Sequence, residues 1–394
     1  MDSTRRVSAG QRLEGVDVLR GLAILLVLLN HVNMRLRLAR VPYTEGLPGQ
    51  LVTSLVWNGQ RAVQIFFAVS GFLITATSLR RWGGLAQVSL RGFYGMRIAR
   101  IAPLLLMILG VLSGLHLAQV EHYVVGEKAG GLGRALLAAL TFHVNVLEAR
   151  RGYLPGSWDI LWSLSVEEMF YLFFPVAALL FGRGKLFVGV LLGFVALGPL
   201  SRTVFTHGNE IWKEYSYLGG MDAISLGCLT ALVVSQIQFS RNILRAAGTI
   251  GVALLVFSLC FSLQGEAWGL ERTGLDMTVV AVGACLVIAA AAQSNWKGPR
   301  IISPLLRIGE RSYEVYLTHM FVVFGAFGFF VRAGKPMWGV PALFTGVIAA
   351  AGLLGEVVAR IYSEPLNRWI RDRWKSGKVV ESPAGETVSE RVEL

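Results

Sequence analysis

The chain has 394 residues, of which 54% are hydrophobic and only 16% are charged. This composition, with a mean hydropathy of +0.56, argues against a soluble globular domain and is typical of a polytopic membrane protein. The net charge of +12 could suggest a nucleic-acid partner, but the basic residues fall in short clusters between apolar spans. That distribution is the positive-inside pattern of membrane proteins, so we expect no nucleic-acid partner.

The basic N-terminus precedes an apolar run, as in a signal peptide, but "LLNHVN" offers no small-residue cleavage site. We therefore interpret this run as a retained first span. The three cysteines, Cys228, Cys260 and Cys285, all lie in apolar segments. An odd, widely spaced set predicts neither a disulfide framework nor a metal site, and we expect no metal.

Eleven apolar segments are candidates for crossing the membrane. They lie at 17–34, 60–78, 101–118, 132–148, 159–181, 186–200, 218–236, 245–263, 274–292, 312–332 and 338–360. If all eleven crossed, the basic loops would change sides after the fourth. If 132–148 does not fully cross, the basic clusters and the basic N-terminus all share one side, as the positive-inside rule requires.

The sequence therefore predicts an all-α polytopic membrane protein with about ten transmembrane helices, both termini cytoplasmic. Segment 132–148 is predicted to be a short re-entrant or interfacial element. We assign 1–375 to one transmembrane domain in the cytoplasmic membrane. Residues 376–394 are polar and are predicted to form a disordered cytoplasmic tail.

The first span, "DVLRGLAILLVLLNHVN" at 17–33, carries an arginine near one end and a histidine near the other. On a helix, Arg20 and His31 point to nearly the same side, roughly 16 Å apart, with His31 about 20 Å from the cytoplasmic face. The pair could mark the two membrane interfaces, or it could form a polar face turned towards a protein interior. Asp17 is three residues before Arg20 and can pair with it.

The span "WSLSVEEMFYLFFP" at 162–175 enters from the outside and carries two adjacent carboxylates. Glu167 and Glu168 lie about 12–14 Å deep, close to the depth of His31, and cannot both face the same way. A carboxylate near a histidine can fix the tautomer of the imidazole and raise its basicity. The alternative is a carboxylate that pairs with an arginine for assembly only.

Two further segments carry polar groups at membrane depth. In "YGMRIARIAP", Arg97 and Arg100 share a helix face and could bind the phosphates of a cytosolic donor, or could simply mark topology. In "RSYEVYLTHMFV", Tyr316 and His319 share a face, although a lone histidine in a span is often a satisfied core residue.

The sequence also offers glycines suited to close helix packing. Gly71 in "FFAVSGFLIT" and Gly227 in "MDAISLGCLTAL" are examples. It contains no Walker motif, Rossmann fingerprint, HExxH or nucleophile elbow.

Seven stretches, in this order, resemble the acyltransferase-3 family of membrane O-acyltransferases. They are "DVLRGLAILLVLLNH", "VQIFFAVSGFLIT", "MRIARIAP", "WSLSVEEMFYLFFP", "MDAISLGCLTALV", "GERSYEVYLTH" and "YSEPLNRW", and they extend from about residue 14 to 369. The resemblance implies transfer of an acyl group, usually acetyl, from cytosolic acyl-CoA to a hydroxyl of a sugar or glycan. It also implies a core of about ten helices within the membrane lipid.

The family's functional pattern falls on identifiable residues. The arginine-x10-histidine pattern falls on Arg20 and His31, and the Ser-x-Glu element falls on Ser165 and Glu167. The resemblance implies that His31 is the catalytic base, that Arg20 supports the donor end, and that Glu167 orients His31 or stabilises its imidazolium.

The Arg-x-x-Arg pair of the family falls on Arg97 and Arg100, which would bind the pyrophosphate or 3′-phosphate of coenzyme A. We assign supporting roles to four further residues, namely Asp17, Ser165, Tyr316 and His319. An acyl-histidine relay through His31 is an alternative to direct transfer.

The sequence departs from the family pattern at two places. Val18 replaces the usual glycine after the first aspartate, and Gly219 and Gly220 stand where many relatives carry an arginine before the "MDA" stretch. The second departure weakens any inference about the acceptor pocket.

Two other classes of function compete with acyl transfer. A proton-coupled transporter or glycan flippase would use His31, Glu167 and His319 as a proton relay. A non-catalytic scaffold would tolerate loss of His31. The acceptor stays open among lipopolysaccharide, exopolysaccharide, peptidoglycan, a lipid-linked sugar and a small glycoside.

Overall fold

The computed structural model describes residues 13–376 apart from 207 and 295, and it describes no side chains for 375 and 376. Most of the predicted tail, 377–394, and the first twelve residues of the predicted domain lie outside the described residues. Every regular element in the described part is helical, and no strand occurs there.

Ten helices in the described ranges are long and apolar enough to cross a membrane, which confirms the prediction of an all-α polytopic fold. We number the helices that form these spans α1 (Glu14–Leu38), α2 (Gly59–Trp82), α3 (Leu90–Leu117), α4 (Leu161–Phe181), α5 (Lys185–Thr203), α6 (Tyr217–Gln236), α7 (Arg241–Cys260), α8 (Asp276–Ser294), α9 (Ser312–Arg332) and α10 (Val340–Val358).

Short helices precede or connect several of these spans. They are Gly49–Val56, Gly131–Leu140, Val144–Arg151, Gly156–Asp159, Glu210–Tyr215, Ser262–Ala267 and Ser303–Glu310. After α10 the chain continues through a π-helical turn, Ala359–Ser363, into the helix Glu364–Ser376.

Segment 132–148 does not form an eleventh span. It is divided between the helices Gly131–Leu140 and Val144–Arg151, which have 10 and 8 residues. Between them Phe142 adopts a left-handed backbone with φ 56°, which ends the first helix. A helix of 10 residues is about 15 Å long, roughly half the hydrocarbon thickness of a bilayer. Whether this element is re-entrant or interfacial stays a prediction.

The helix α3 begins eleven residues earlier than the predicted span 101–118. The hydroxyl of Ser89 accepts a hydrogen bond of 3.2 Å from the backbone N–H of Gly92 and so caps the new start. The arginines of this stretch lower its hydropathy, so the sequence pattern missed these turns. Arg97 and Arg100 therefore lie on this helix, as their shared helix face predicted, and two turns or more after its start.

Successive long helices run in opposite directions, so their ends form two sets. We call the end at which α1 begins and α2 ends the basic end, and the opposite end the far end. Gly182, at the end of α4, packs on Leu85 just after α2. At the far end, the Nε–H of Arg202 in α5 donates to the carbonyl of Gly274, just before α8.

Helices α2 and α6 cross in backbone contact. A Cβ atom at Gly71 would lie 1.8 Å from the carbonyl oxygen of Ile224, and one at Gly227 would lie 2.0 Å from that of Ala68. No side chain fits at either position, which confirms the close packing expected of these glycines.

A buried ion pair joins α5, α6 and α8. Arg202 donates to Asp222 at 3.3 and 2.6 Å, to the hydroxyl of Thr278 at 2.7 Å, and to the carbonyls of Gly219 and Gly274 at 2.5 and 2.9 Å. All five guanidinium donors therefore have acceptors, as burial of a charge requires. A guanidinium from α5 thus lies beside Gly219.

The crossing of α2 and α6 yields a test with a matched control. Gly227→Ala should destabilise the protein by about 1–3 kcal/mol or more, because the new methyl group meets backbone atoms that must move. Gly189→Ala on α5 should be neutral or stabilising by up to about 1 kcal/mol, because a Cβ there meets nothing within 4 Å and alanine favours the helix. Thermal melting of the purified full-length protein in detergent measures both. Equal melting temperatures in the two variants would contradict the packing described here.

Candidate active site

A cavity of about 410 Å³ runs between α2, α3, α4 and α9. It extends from Trp82 and Phe93 at the basic end to Val63 and Ser163, which lie near the far ends of their helices. Its walls carry five charged side chains, namely Arg20, Arg97, Arg100, Glu167 and Glu168. Three guanidinium and two carboxylate groups in one mostly apolar cavity are a combination that structural packing alone does not require.

Arg97 connects the two adjacent carboxylates. Its Nη2 lies 2.8 Å from Oε1 of Glu168 and 3.6 Å from Oε1 of Glu167. Its guanidinium carbon lies 3.6 Å from the ring centroid of Tyr171, in cation–π geometry. The Nε–H of Arg97 is buried and has no partner among the described residues. Arg97 therefore balances buried acidic charge, and its guanidinium keeps one donor without a partner in this part of the chain.

Glu167 is held by hydroxyl groups from two helices. Its Oε1 accepts hydrogen bonds from the hydroxyl of Ser70 on α2 and from that of Tyr171, 2.8 Å away and one turn further along α4. The hydroxyls of Ser70 and Tyr171 are also in contact with each other. Sequence reasoning missed Ser70 and Tyr171, although the i,i+4 spacing of Tyr171 from Glu167 was a usable signal.

Arg20 and Arg100 lie towards the basic end of the cavity. The Nε–H of Arg20 donates to the hydroxyl of Ser312 at 3.0 Å, and its Nη1 lies 3.5 Å from the carboxylate of Asp17. Arg100 is exposed and lies 5.9 Å from the ring centroid of Tyr313, with no ion pair in the described residues. The buried carboxylate of Glu314 interacts with both guanidinium groups at longer range.

The start of α1 is fixed by close packing, which positions Arg20. A Cβ at Gly309, in the helix Ser303–Glu310, would lie 1.9 Å from the carbonyl oxygen of Asp17. A Cβ at Gly21 would lie 2.3 Å from the carbonyl oxygen of Leu305 in the same helix. Both contacts require glycine, and together they hold the first turns of α1 in one orientation.

His31 and His319 form a pair of imidazoles behind the cavity. Their ring centroids are 4.9 Å apart at an interplanar angle of 65°. Nδ1 of His31 lies 2.9 Å from the carbonyl oxygen of Val27, and Nδ1 of His319 lies 2.6 Å from that of Tyr316. A carbonyl can only accept, so each Nδ1 carries a proton and each Nε2 keeps its lone pair in the neutral ring. The Nε2 of His319 is buried without a partner among the described residues.

Tyr316 separates the cavity from the histidine pair. Its hydroxyl lies 2.6 Å from that of Ser163 and donates to the carbonyl of Ile160 at 3.0 Å. Both Tyr316 and Ser163 line the cavity, and the ring of Tyr316 lies 5.7 Å from that of His319. A continuous line of polar side chains therefore leads from the cavity wall to His31.

The structure brings most of the predicted site residues together, but it does not pair Glu167 with His31. Glu167 is bound by Ser70 and Tyr171 and faces Arg97, whereas the carbonyl of Val27 fixes the tautomer of His31. A direct contact between Glu167 and His31 is therefore absent from the described part of the chain. The backbone of α1 provides the orientation that we had expected from this carboxylate.

Ser165 lies outside the cavity. Its hydroxyl donates to the carbonyl of Leu161 at 3.1 Å and accepts from the backbone N–H of Val144 at 3.2 Å. It therefore holds the helix Val144–Arg151 against α4.

In the same short helix, burial and the nearby Asp159 raise the pKa of Glu148 well above its ordinary range. No group of three or more histidine, cysteine, aspartate or glutamate side chains among the described residues could hold a metal ion.

The roles of the two arginines on α3 can be separated by stability. Arg97→Met should destabilise the protein by about 3–5 kcal/mol, because two carboxylates at membrane depth lose their counter-charge. Adding Glu168→Gln should recover part of this loss. Arg100→Met should change stability by no more than about 0.5 kcal/mol, since Arg100 is exposed and makes no ion pair. Thermal melting of the detergent-purified variants measures these differences in stability. Equal destabilisation by the two arginine variants would refute the different roles assigned to Arg97 and Arg100.

Sequence comparisons relate the chain to known proteins. The profile of an acyltransferase domain family matches residues 13–356. The O-acetyltransferase OatA of Staphylococcus aureus is 23% identical over 372 residues, covering 90% of this chain and 57% of that protein. The peptidoglycan O-acetyltransferase OatA of Listeria monocytogenes is 27% identical over 338 residues, covering 81% of this chain and 50% of that protein.

The chain thus spans about half the length of the curated relatives that it matches. No solved structure matches it. The family profile covers nearly the whole described chain and includes every residue that lines the cavity. The chain belongs to the acyltransferase-3 family of integral membrane O-acyltransferases.

Proposed function

We propose that the protein transfers an acyl group, acetyl in the first instance, from acyl-CoA to a hydroxyl of a sugar or glycan. The observation that carries this proposal is the composition of the large cavity. Arg20 and Arg100 lie towards its basic end, Arg100 without an ion pair among the described residues, and a pair of imidazoles with unprotonated Nε2 atoms lies behind its opposite part.

The proposed orientation places the basic end in the cytoplasm of a bacterium and the far end outside the cytoplasmic membrane. Support comes from the basic clusters that precede or follow the helices at that end, in accordance with the positive-inside rule. Arg80 and Arg81 end α2, and Arg307 and Arg311 lie just before α9. Both termini would then be cytoplasmic, and acyl-CoA would enter from the side where it is made.

Arg20 and Arg100 are the proposed partners of the donor's phosphates. Charge-assisted hydrogen bonds from guanidinium to phosphate are strong, and these two arginines have charge left to offer. Arg97 has a structural role instead, because its charge already balances the carboxylates of Glu168 and Glu167. The thioester arm would extend along the apolar wall towards Tyr316.

His31 is the proposed general base. The acceptor oxygen forms a bond to the acyl carbonyl carbon while the bond from that carbon to sulfur breaks. The hydroxyl proton moves to Nε2 of His31 and then to the leaving thiolate, so the products are an ester and free coenzyme A. A positioned imidazole contributes about 10²–10⁴-fold in such a step. Formation of an acyl-histidine on the same nitrogen, followed by transfer to the acceptor, is the alternative.

The acceptor is proposed to be a glycan at the far end. The relative from Listeria monocytogenes is named a peptidoglycan O-acetyltransferase, which supports this class of acceptor. A transporter or glycan flippase would use the histidine pair as a proton relay, but it would have no need for Arg20 and Arg100 at the basic end of the cavity. Release of free coenzyme A from labelled acetyl-CoA by the purified protein separates the two functions, since a transporter would release none.

Loss of Arg100 should weaken use of the donor. We expect Arg100→Ala to raise the KM for acetyl-CoA about tenfold or more, because a charge-assisted phosphate contact is worth roughly 1.5–3 kcal/mol. Arg91→Ala is the control, as Arg91 is an exposed arginine of the same helix outside the cavity wall. Initial rates of coenzyme A release give both values. A KM within twofold of wild type in Arg100→Ala would assign that residue to topology alone.

Loss of His31 should remove the chemical step. We expect His31→Ala to lower turnover at least about 10²-fold. His319→Asn should cost less, and the double variant should be little worse than His31→Ala, because residues that act as a unit are not additive. His143→Ala is the control, since His143 contacts Thr141 in the far-end segment away from the cavity. Turnover near wild type in correctly inserted His31→Ala protein would eliminate His31 from the mechanism.

A further inference from the structure

A second cavity, of about 150 Å³, opens at the far end. It lies between the helix Gly49–Val56, the start of α2, the end of α7 and the start of α8. It shares no lining residue with the large cavity. Neither the proposed donor site nor the histidine pair uses it.

Polar groups with unused hydrogen-bonding capacity converge on this second cavity. Ser258 lines it and is only 7% exposed, yet its hydroxyl makes no hydrogen bond within the described residues. The hydroxyl of Ser262 is also buried and unpartnered there. The guanidinium of Arg61 has a single hydrogen bond, of 3.4 Å, to Asn58. Buried polar groups are usually satisfied, so these point to a ligand or to water.

Acidic groups outnumber basic groups around this cavity. Glu266, Glu271 and Asp276 line it together with Arg61, and Lys213 lies 2.9 Å from the carboxylate of Glu271 and 3.7 Å from that of Glu210. The acidic excess disfavours an anionic ligand. Carboxylate acceptors beside a guanidinium donor match a neutral ligand with many hydroxyl groups, because each hydroxyl both donates and accepts.

Aromatic rings complete the wall. Trp57, Phe257 and Phe261 line the cavity, and Trp57 and Phe261 are 40% and 46% exposed. Flat aromatic faces beside carboxylate, guanidinium and hydroxyl groups suit a sugar ring, whose two sides present C–H bonds and whose edge presents hydroxyls. The membrane interface alone explains exposed aromatics, but it does not explain Ser258 and Arg61.

The cavity lies beside the far-end part of α1. The side-chain amide of Asn33, two residues after His31, donates to the carbonyl of Val56 at 3.2 Å, and the next residue is Trp57. A Cβ at Gly59 would lie 2.6 Å from the side chain of Asn30. A glycan chain held in this cavity could therefore continue towards His31.

We infer that the second cavity binds a neutral sugar unit of the acceptor glycan, as a subsite removed from the point of acyl transfer. This inference rests on the proposed function, because it concerns the acceptor of the same reaction. Arg61 and Asp276 would bind the sugar's hydroxyls, with Ser258 at the base of the subsite and Trp57 against the ring.

The test compares two readouts for full-length variants. One is the alkali-released acetate in the polysaccharide fraction of cells that express each variant, and the other is coenzyme A release from acetyl-CoA by the same purified protein, with water as the acyl acceptor. We expect Arg61→Ala and Asp276→Asn to lower the ratio of glycan acetate to coenzyme A release about tenfold, the loss typical of one charged hydrogen bond. Arg272→Ala, an exposed arginine outside the cavity wall, should keep the wild-type ratio.

The possible outcomes are distinct. A ratio within twofold of wild type in both cavity variants, or no glycan acetate in wild-type cells, overturns the subsite. Absence of coenzyme A release by the wild-type protein contradicts the proposed function instead. If Arg61→Ala does not reach the membrane, Ser258→Val replaces it, because it removes the buried hydroxyl without removing a charge, and it should lower the ratio too.

Discussion

The ion pair between Arg97 and Glu168 is the interaction on which the cavity depends. Two adjacent carboxylates on α4 lie at membrane depth, where unpaired charge costs several kcal/mol. Arg97 from α3 faces both of them, and the hydroxyls of Ser70 and Tyr171 donate hydrogen bonds to the carboxylate of Glu167. These contacts connect α2, α3 and α4 around an open space rather than a filled core. The cavity is stable because its acidic charge is balanced from within.

That balance decides what the other arginines can do. Arg97 is paired with the two carboxylates, whereas Arg20 contacts Asp17 and Arg100 has no ion pair among the described residues. The close packing of Gly21 and Gly309 holds Arg20 in place at the basic end. On the same helix, about two turns beyond Arg20, the carbonyl of Val27 selects the tautomer of His31. One helix therefore presents the proposed phosphate-binding arginine and the proposed base to different parts of one site.

Charge alternation between apolar spans predicted the ten helices well, because the membrane imposes both the length of each span and the side of each basic loop. It also identified 132–148 as the segment that does not cross. Pattern alone failed where polar residues extend a helix: α3 begins at Leu90, since Arg91, Arg97 and Arg100 hide its first turns from a hydropathy window.

Pairing across helices was the part that the sequence could not provide. The depth of a residue along a membrane-spanning helix follows from its position in the sequence, so His31 and Glu167 were expected to meet. Rotation about the helix axis and the choice of partner depend on tertiary packing. Glu167 therefore contacts Ser70 and Tyr171, and the buried pair of Arg202 and Asp222 went unnoticed although all five donors of its guanidinium have acceptors.

The proposed mechanism requires a donor side at the basic end and an acceptor side at the far end, with His31 and His319 between them. A structure of the purified full-length protein bound to coenzyme A tests this division most directly. We expect the phosphates within hydrogen-bonding distance of Arg20 and Arg100, with the thiol inside the large cavity and directed at Tyr316 and Ser163. Coenzyme A bound at the far end, or outside this cavity, would contradict the account.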